Sequence, residues 1–291
     1  MDYGLQIPYV VPSSRRDLLT FMARADDGPF RTLSIGERVT YVNPDPIAAI
    51  AAAAAVTTRV RLLTNVSVLL LHPPAILAKS LATIDRLSEG RLIVTPGVGS
   101  REEDFAAAGA SYARRWQRLD DTIRTMQSMW AGEPAEPSGT VLGPPPFTPG
   151  GPPLHCGAFG PKALARAVQW ACGFQGFTTD GGLELMQMVG GTVLAGFEAA
   201  GKPRPEMGVG CFFALGTGAA QRLREAVAPY FDYADPAVRD ATVAALTIHS
   251  PDAIAQTVAN AAAAGFDEVH FLPTTVDPTE IDRLEDVLAR L

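Results

Sequence analysis

Segments with the pattern of a β-strand alternate with segments with the pattern of an α-helix along the chain, and this alternation limits the folds open to it. Eight short apolar or β-branched runs are each followed by a helical pattern. These runs are Tyr3 to Pro8, Phe30 to Ile35, Val60 to Leu70, Arg91 to Thr95, Pro153 to Cys156, Phe174 to Thr178, Met207 to Leu215 and Glu268 to Leu272. Eight such repeats predict a (β/α)₈ TIM barrel, with a doubly wound open sheet as the alternative.

Several helix boundaries carry signals of their own. At Asp45-Pro46 an aspartate can cap a helix whose first position is proline, and Ser250-Pro251 repeats that pattern. Gly265 is typical of a helix end. The stretch Asp104 to Trp130 predicts a helix that is broken in the middle.

One irregular segment interrupts the alternation. Glu133 to Pro153 holds eight of the 24 prolines and reads either as a domain linker or as an excursion over the surface. The alternation of strands and helices resumes unchanged beyond it. We therefore predict a surface excursion after the fourth strand–helix unit, within a single domain over residues 1–291.

Composition narrows the class of protein. A net charge of −7 argues against a partner such as nucleic acid or an anionic membrane. The longest apolar runs, such as Ala48 to Val56, are too short to span a bilayer, and Met1 to Pro8 has no signal-peptide pattern. Three cysteines without a C-x-x-C pair suit a reducing compartment. These features predict a soluble, cytoplasmic protein.

Candidate functional residues follow the predicted strands, because barrel enzymes carry their chemistry where strands end. Glu37 and Arg38 follow the second strand, and Thr64 and Asn65 lie in the third. The fourth strand leads into the run Gly97-Val98-Gly99 and then to Glu102. The glycine pair lacks the third glycine of a dinucleotide fingerprint, so a simple tight turn is the competing interpretation.

The fifth predicted strand is followed by a glycine-rich loop. Gly157, Ala158, Phe159 and Gly160 precede Pro161 at the expected start of a helix. Unpaired backbone N–H groups at such a point can bind an anion. The spacing is not that of a P-loop, and a glycine-rich connection without a ligand is the alternative.

The acidic candidates are suited to proton transfer. Glu37 and Glu102 are both expected at the barrel mouth, where partial burial favours general acid–base work by a carboxyl group. No clustered histidines and carboxylates predict a metal site, and no G-x-S-x-G motif offers a serine nucleophile. The three tryptophans fall in predicted helices, where we expect them to pack in the core: Trp116, Trp130 and Trp170.

Taken together, these segments resemble the bacterial-luciferase-like family of flavin- and deazaflavin-dependent oxidoreductases. The resemblance covers nearly the whole chain, and the block Pro74 to Gly99 is its most specific part. The other segments that carry it are Ala23 to Phe30, Ile35 to Arg38, Thr58 to Leu62, Arg118 to Asp120, Trp130 to Glu133, Gly157 to Gly173, Ser250 to Asp252 and Ala264-Gly265.

The resemblance implies a (β/α)₈ barrel with a cofactor across its carboxyl-terminal mouth. The cofactor would be the deazaflavin coenzyme F420, or else FMN. Its ring would lie against Thr64, Asn65 and Gly97 to Gly99, and its phosphate near Gly157 to Gly160. The resemblance also implies a cis peptide bond at Thr64-Asn65 or Asn65-Val66, and a homodimer paired through helices beside strands two and three.

The implied activity is hydride transfer between that cofactor and a small organic substrate, with Glu102 or Glu37 managing the proton. The chain departs from many relatives in two places. Arg38 stands where deazaflavin-dependent dehydrogenases often have histidine, and the loop after Gly99 is short. Two alternatives stay open: a barrel that binds the cofactor without catalysis, and a non-redox barrel enzyme, which would need a lysine at a strand end or metal ligands.

Overall fold

Eight parallel strands form the centre of the molecule. The structure is a computed structural model that describes residues 1–135, 137–158 and 160–291. The barrel strands are β1 (Asp2–Gln6), β2 (Thr32–Ile35), β3 (Arg61–Ser67), β4 (Leu92–Pro96), β5 (His155–Cys156), β6 (Gly173–Thr178), β7 (Glu206–Phe213) and β8 (Glu268–Pro273).

The strands are joined side by side into a ring. Hydrogen-bonded neighbours run in the order β4, β3, β2, β1, β8, β7, β6, β5, and every pair is parallel. The two ends of this row meet at a bridge between Val94 and Leu154, where the Val94 N–H donates to the carbonyl of Pro153 at 3.0 Å. The predicted barrel is therefore confirmed, and the open-sheet alternative is wrong.

Helices follow the strands along the chain. They are α1 (Arg15–Asp27), α2 (Pro46–Val56), α3 (Pro74–Leu87), α4 (Glu102–Ala107), α5 (Arg115–Trp130), α6 (Pro161–Ala167), α7 (Leu183–Ala199), α8 (Ala219–Val227), α9 (Pro236–Ala244), α10 (Pro251–Ala263) and α11 (Thr279–Leu288). The predicted break within 104–130 is the gap between α4 and α5. In the part of the chain that the structure describes, no helix is both long and apolar enough to cross a bilayer.

The capping signals act as expected. Asp45 Oδ1 accepts the Ala48 N–H at 2.8 Å at the start of α2, and Ser250 Oγ accepts the Ala253 N–H at 3.2 Å at the start of α10. Each side chain satisfies a donor that has no partner within its helix.

Two strands are shorter than their apolar runs. The run to Leu70 leaves the sheet at Ser67, because the register against β4 shifts between Asn65 and Ser67, and Leu69–Leu71 then forms a 3₁₀ turn. Strand β5 holds only His155 and Cys156, since the prolines before it have no N–H to donate to a ladder.

The proline-rich segment lies on the surface, as predicted. It begins with a two-stranded hairpin, Pro134–Ala135 paired with Thr140–Val141, and returns along α3. Lys79 Nζ donates to the Gly143 carbonyl at 2.6 Å, and the Thr148 N–H donates to Asp85 Oδ2 at 2.7 Å. Strands on both sides of the segment belong to the same sheet, so it interrupts the barrel without dividing it.

Candidate active site

A cavity of about 560 Å³ opens at the carboxyl ends of the strands. This is the end of a barrel at which ligands bind. Strand ends and the loops after them supply its floor: Gln6, Gly36, Asn65, Val66, Pro96, Gly97, Cys156, Gly157, Gln175, Gly210 and Leu272. Helices α4, α5 and α6 and the segment after α8 supply its walls.

The floor is centred on an irregularity in β3. The peptide bond between Asn65 and Val66 is cis, at one of the two positions that the family resemblance implied. Two backbone hydrogen bonds hold the irregular segment: the Glu37 N–H donates to the Val66 carbonyl at 3.1 Å, and the Gly97 N–H donates to the Ser67 carbonyl at 2.7 Å. Asn65 and Val66 thereby face the cavity as part of a fixed surface.

The glycines around this segment make room for protein side chains. A Cβ added to Gly97 would lie 2.8 Å from Val66 Cγ2. Gly99 has a φ of +70°, and a Cβ there would lie 2.7 Å from both Phe105 and Val68. The sequence reasoning expected these glycines to admit a cofactor ring directly. Both glycines line the cavity, but protein side chains already fill the space beside them: Val66 beside Gly97, and Phe105 and Val68 beside Gly99.

Glu37 is buried in the cavity wall and is bound on both oxygens. Oε2 accepts the Ser67 hydroxyl at 2.9 Å and the Val68 N–H at 2.6 Å, and Oε1 lies 2.5 Å from His72 Nε2. The hydrogen bond and negative charge of Glu37 raise the pKa of His72, against the opposing effect of burial. Glu37 and His72 therefore form an acid–base pair behind the β3 irregularity.

Arg38 also lines the cavity, but its guanidinium is held by another side chain. Arg38 Nε donates to Asp104 Oδ2 at 2.7 Å, and both side chains are buried. Burial opposes ionisation of Asp104, but hydrogen bonds from Thr40 together with the charge of Arg38 hold its pKa below the usual range. The loop after β2 is thus fastened to α4 by a buried ion pair.

Glu102 and Thr64 lie away from the cavity. Glu102 is the first residue of α4, is exposed to solvent, and is not among the lining residues. The structure thus matches a solvated carboxylate favoured by the helix dipole, and gives no support to Glu102 as the acid. Thr64 is buried within β3, where its hydroxyl accepts the Thr95 N–H at 3.1 Å.

The glycine-rich loop is only partly at the cavity. Gly157 and Ala158 line it, whereas Gly160 caps α6 with a φ of +86° and is not a lining residue. Phe159, which was also predicted to bind the cofactor, lies outside the described residues. Burial raises the pKa of the neighbouring Cys156 thiol to about 11, so this thiol stays protonated near neutrality.

The charged residues that line the cavity carry an excess of positive charge. Four arginines line it against three carboxylates. Arg38 pairs with Asp104, Arg166 Nε donates to Asp120 Oδ2 at 2.7 Å, and Glu37 is engaged by His72. The two remaining arginines, Arg101 and Arg115, form no ion pair with any carboxylate of the described residues. The site is therefore suited to anionic ligands although the whole chain is acidic.

A family comparison decides what kind of barrel this is. The sequence model described as luciferase-like monooxygenase matches residues 1–272. The chain belongs to the luciferase-like monooxygenase family. Among the described residues of this family member, no group of three or more His, Cys, Asp and Glu is arranged to hold a metal ion, and no lysine lines the cavity.

Curated relatives match parts of the chain. It is 32% identical over 175 residues to the F420-dependent glucose-6-phosphate dehydrogenase of Beutenbergia cavernae, covering 55% of this chain and 52% of that protein. It is 40% identical over 91 residues to an uncharacterised protein of Mycobacterium tuberculosis, covering 31% and 32%. The chain thus spans about a third to a half of the length of these two relatives.

Two solved structures share the whole fold of the chain. A monooxygenase, RslO1 from Streptomyces bottropensis, superposes with a TM-score of 0.83 at 22% identity, covering 100% of this chain and 98% of that one. An F420-dependent secondary alcohol dehydrogenase, solved in complex with an F420–acetone adduct, superposes with a TM-score of 0.82 at 16% identity, covering 98% and 97%. These likenesses establish the barrel and its order of strands.

Several lining residues of this luciferase-like chain were missed by sequence reasoning. All three tryptophans were expected to pack in the core. Trp130 does, with its Nε1–H donating to the Ala78 carbonyl at 3.0 Å, and Trp170 packs against the core while also lining the cavity. Trp116 is exposed and lines the cavity. Other lining residues that were missed include Tyr9, Arg101, Asp104, Arg115, Asp120, Arg166, Phe177, Phe212, Tyr230 and Tyr233. A signal was present for the arginines. Arg101 stands just after the end of β4, and Arg115 and Arg166 lie in helices that follow β4 and β5.

Proposed function

We propose that the chain is an oxidoreductase that transfers a hydride between a flavin-type cofactor and a small organic substrate. Coenzyme F420 is the first candidate for the cofactor and FMN the second. The observation that carries the proposal is a cavity at the carboxyl ends of the strands, lined by Asn65, Val66 and Gly97 and by four arginines against three carboxylates, in a member of this family. When bound, the cofactor would supply a ring that accepts or donates two electrons as a hydride.

The cavity fits a flat ring that carries a phosphate. Val66 and Gly97 offer an apolar surface for one face of the ring, and Asn65 offers an amide at its edge. Arg115 and Arg166 lie 6.0 Å and 5.9 Å from the centre of the Trp116 ring, and Arg166 belongs to α6, the helix that follows Ala158. We therefore assign both to the phosphate, together with the predicted backbone donors of the loop up to Gly160. A guanidinium group matches phosphate in both charge and geometry.

Glu37 is the best candidate for handling the proton. The other two carboxylates of the described lining, Asp104 and Asp120, each face an arginine, and arginine does not release its proton near neutrality. Glu37 instead faces His72, which can take up or release a proton at physiological pH. We propose that a proton passes between the substrate and Glu37, and that His72 exchanges this proton with solvent. We also propose that Arg38 orients the ring or the substrate.

Cofactor titration tests the proposal. The purified protein is titrated with F420, FMN and riboflavin while fluorescence is followed, and we expect one equivalent of F420 or FMN to bind. If Arg115 holds the phosphate, Arg115→Gln weakens FMN binding and leaves riboflavin binding unchanged. Failure of both F420 and FMN to bind at high micromolar concentration would contradict the proposal.

A pair of glycine substitutions separates the site from the fold. In Gly97→Ala the new Cβ would meet Val66 at 2.8 Å, so the side chain of Val66, which lines the cavity, must shift. We expect cofactor affinity to fall at least tenfold, with a loss of about 1–3 kcal/mol in unfolding free energy from overpacking. Gly191→Ala is the matched control, since a Cβ on this helical glycine meets nothing within 4 Å. It should leave cofactor affinity unchanged.

We also propose a homodimer in the cytoplasm. Helices α2 and α3 carry exposed apolar side chains, at Val56, Ile76 and Leu87, that a second copy could cover. The three cysteines are free, as expected in a reducing compartment. Sedimentation should give twice the chain mass at micromolar concentration, and a monomer would oppose the dimer. Fractionation of the native cells should place the protein with cytoplasmic markers rather than with exported ones.

A further inference from the structure

Arg101 lies in the wall of the cavity between two tyrosine rings. Its guanidinium carbon is 3.9 Å from the centre of the Tyr233 ring and 4.5 Å from that of Tyr230. Arg101 Nη2 donates to the Tyr230 carbonyl at 3.0 Å, and the residue is only 8% exposed. The cation is therefore fixed in place by two rings and one hydrogen bond.

This buried cation forms no ion pair with a carboxylate in the described part of the chain. Its Nε has no hydrogen-bond partner and is shielded from solvent. The buried Arg38 and the partly buried Arg166, by contrast, are each paired with a carboxylate. A buried charge is costly when it is unpaired, so a partner supplied by a ligand would relieve the cost.

The surroundings of Arg101 are aromatic. Tyr9 packs edge-on against Tyr230 with ring centres 5.4 Å apart, and Phe212 lies 5.9 Å from Tyr230 on another side. Phe177 in turn packs edge-on against Phe212 at 5.5 Å. All four rings line the cavity. Aromatic faces and edges of this kind favour a planar apolar ligand over a sugar, whose hydroxyl groups would need many polar partners.

We propose, building on the proposed function, that the substrate is a planar aromatic compound with a carboxylate or similar anionic group, and that Arg101 binds that group. The rings around Tyr230 bind the planar part. The phosphate of the cofactor is assigned to Arg115 and Arg166, which lie near the Trp116 ring, whereas Arg101 contacts Tyr230 and Tyr233 in the segment after α8. Arg101 thus determines specificity for the substrate's charge.

Three small probes test this proposal on the cofactor-loaded protein. Binding of 2-naphthoate, its uncharged amide 2-naphthamide, and octanoate is measured by calorimetry. We expect 2-naphthoate to bind at least tenfold more tightly than either of the others. Arg101→Gln should remove the preference for acid over amide, and Arg101→Lys should keep at least a threefold preference because it keeps the charge.

The controls distinguish this inference from the proposed function. Arg124→Gln removes an exposed arginine on α5 and should change no probe affinity. Cofactor affinity should stay within threefold in every variant. Equal binding of acid and amide by the wild-type protein, or no binding of either at millimolar concentration, overturns the role of Arg101 and leaves the proposed function intact. Failure of the cofactor itself to bind overturns the proposed function and this inference with it.

Discussion

Asp104 fastens the loop after β2 to α4, and its replacement tests how the cavity wall is built. Oδ1 accepts the Thr40 N–H at 2.8 Å, the Thr40 hydroxyl at 2.6 Å and the Val39 N–H at 3.2 Å. Oδ2 accepts Arg38 Nε at 2.7 Å. Four donors from one loop therefore depend on a single buried carboxylate.

The expected loss of stability depends on the buried groups that lose their partner when Asp104 is replaced. Asp104→Ala leaves the buried Arg38 with only the exposed Glu103, whose Oε1 lies 3.5 Å from Arg38 Nη2. The free energy of unfolding should therefore fall by an amount at the low end of about 3–5 kcal/mol. Asp104→Asn keeps an oxygen for Thr40 but loses the charge, so its cost should be smaller. The double variant Arg38→Met with Asp104→Ala removes both charges, and it should be more stable than Asp104→Ala alone.

Urea unfolding followed by tryptophan fluorescence measures these differences. Asp121→Ala is the control, because Asp121 pairs with Arg124 on the exposed face of α5. Such a pair contributes at most about 1 kcal/mol. Cofactor titration of the same variants should show weaker binding for Asp104→Ala, since Arg38 lines the cavity. If Asp104→Ala is as stable as Asp121→Ala, the buried ion pair does not hold this wall.

The ionisation of Asp104 also makes the stability of the protein depend on pH. The pKa of Asp104 is lower in the folded state than its ordinary value of 3.8. Its contribution is therefore fully present above that ordinary value and is lost as the pH falls through the folded pKa. The stability difference between wild type and Asp104→Asn should accordingly shrink below about pH 4.

The remaining predictions concern Glu37, His72 and His155. By NMR titration, Glu37→Gln should lower the pKa of His72, whereas Glu102→Gln should not. In a turnover assay with a substrate, Glu37→Gln should slow the rate about 10²–10⁴-fold, and Glu102→Gln should slow it less than threefold. Because the folded pKa of His72 is raised, the stability gained from its pair with Glu37 is present below pH 6.5 and declines as the pH rises through the folded pKa. Burial lowers the pKa of His155 to about 4, so acidification from pH 6.5 toward 4 should cost up to about 3 kcal/mol. His155→Gln should reduce that loss, and an unchanged acid midpoint would show that another group controls acid unfolding.

Much of the fold could be predicted because each barrel unit carries its own local signal. Helix caps such as Asp45 and Ser250 involve only a few neighbouring residues, and so does the apolar periodicity of each helix. Both can therefore be recognised from the sequence alone. The strand ends named from the sequence, at Glu37, Asn65 and Gly97, do meet in the cavity. This follows from the parallel ring, which brings the carboxyl ends of all its strands to one side.

The rest of the site depends on contacts between residues far apart in the chain. Arg38 meets Asp104 and Arg101 meets Tyr230, and no local pattern reports either pairing. Glu102 follows the β4 turn as a cavity residue would, yet the short α4 turns it to solvent and buries Asp104 instead. Spacing along the chain could not decide between these neighbouring acids, because one step along a helix rotates a side chain by about 100°.

The central claim is that a flavin-type cofactor occupies the cavity above the Asn65-Val66 peptide, and a crystal structure of the cofactor complex tests it most directly. We predict that one face of the ring contacts Val66 and Gly97, with the phosphate within hydrogen-bonding distance of Arg115 or Arg166. A cofactor bound elsewhere, such as beside Arg31 and Arg204 at the opposite end of the barrel, would contradict the account.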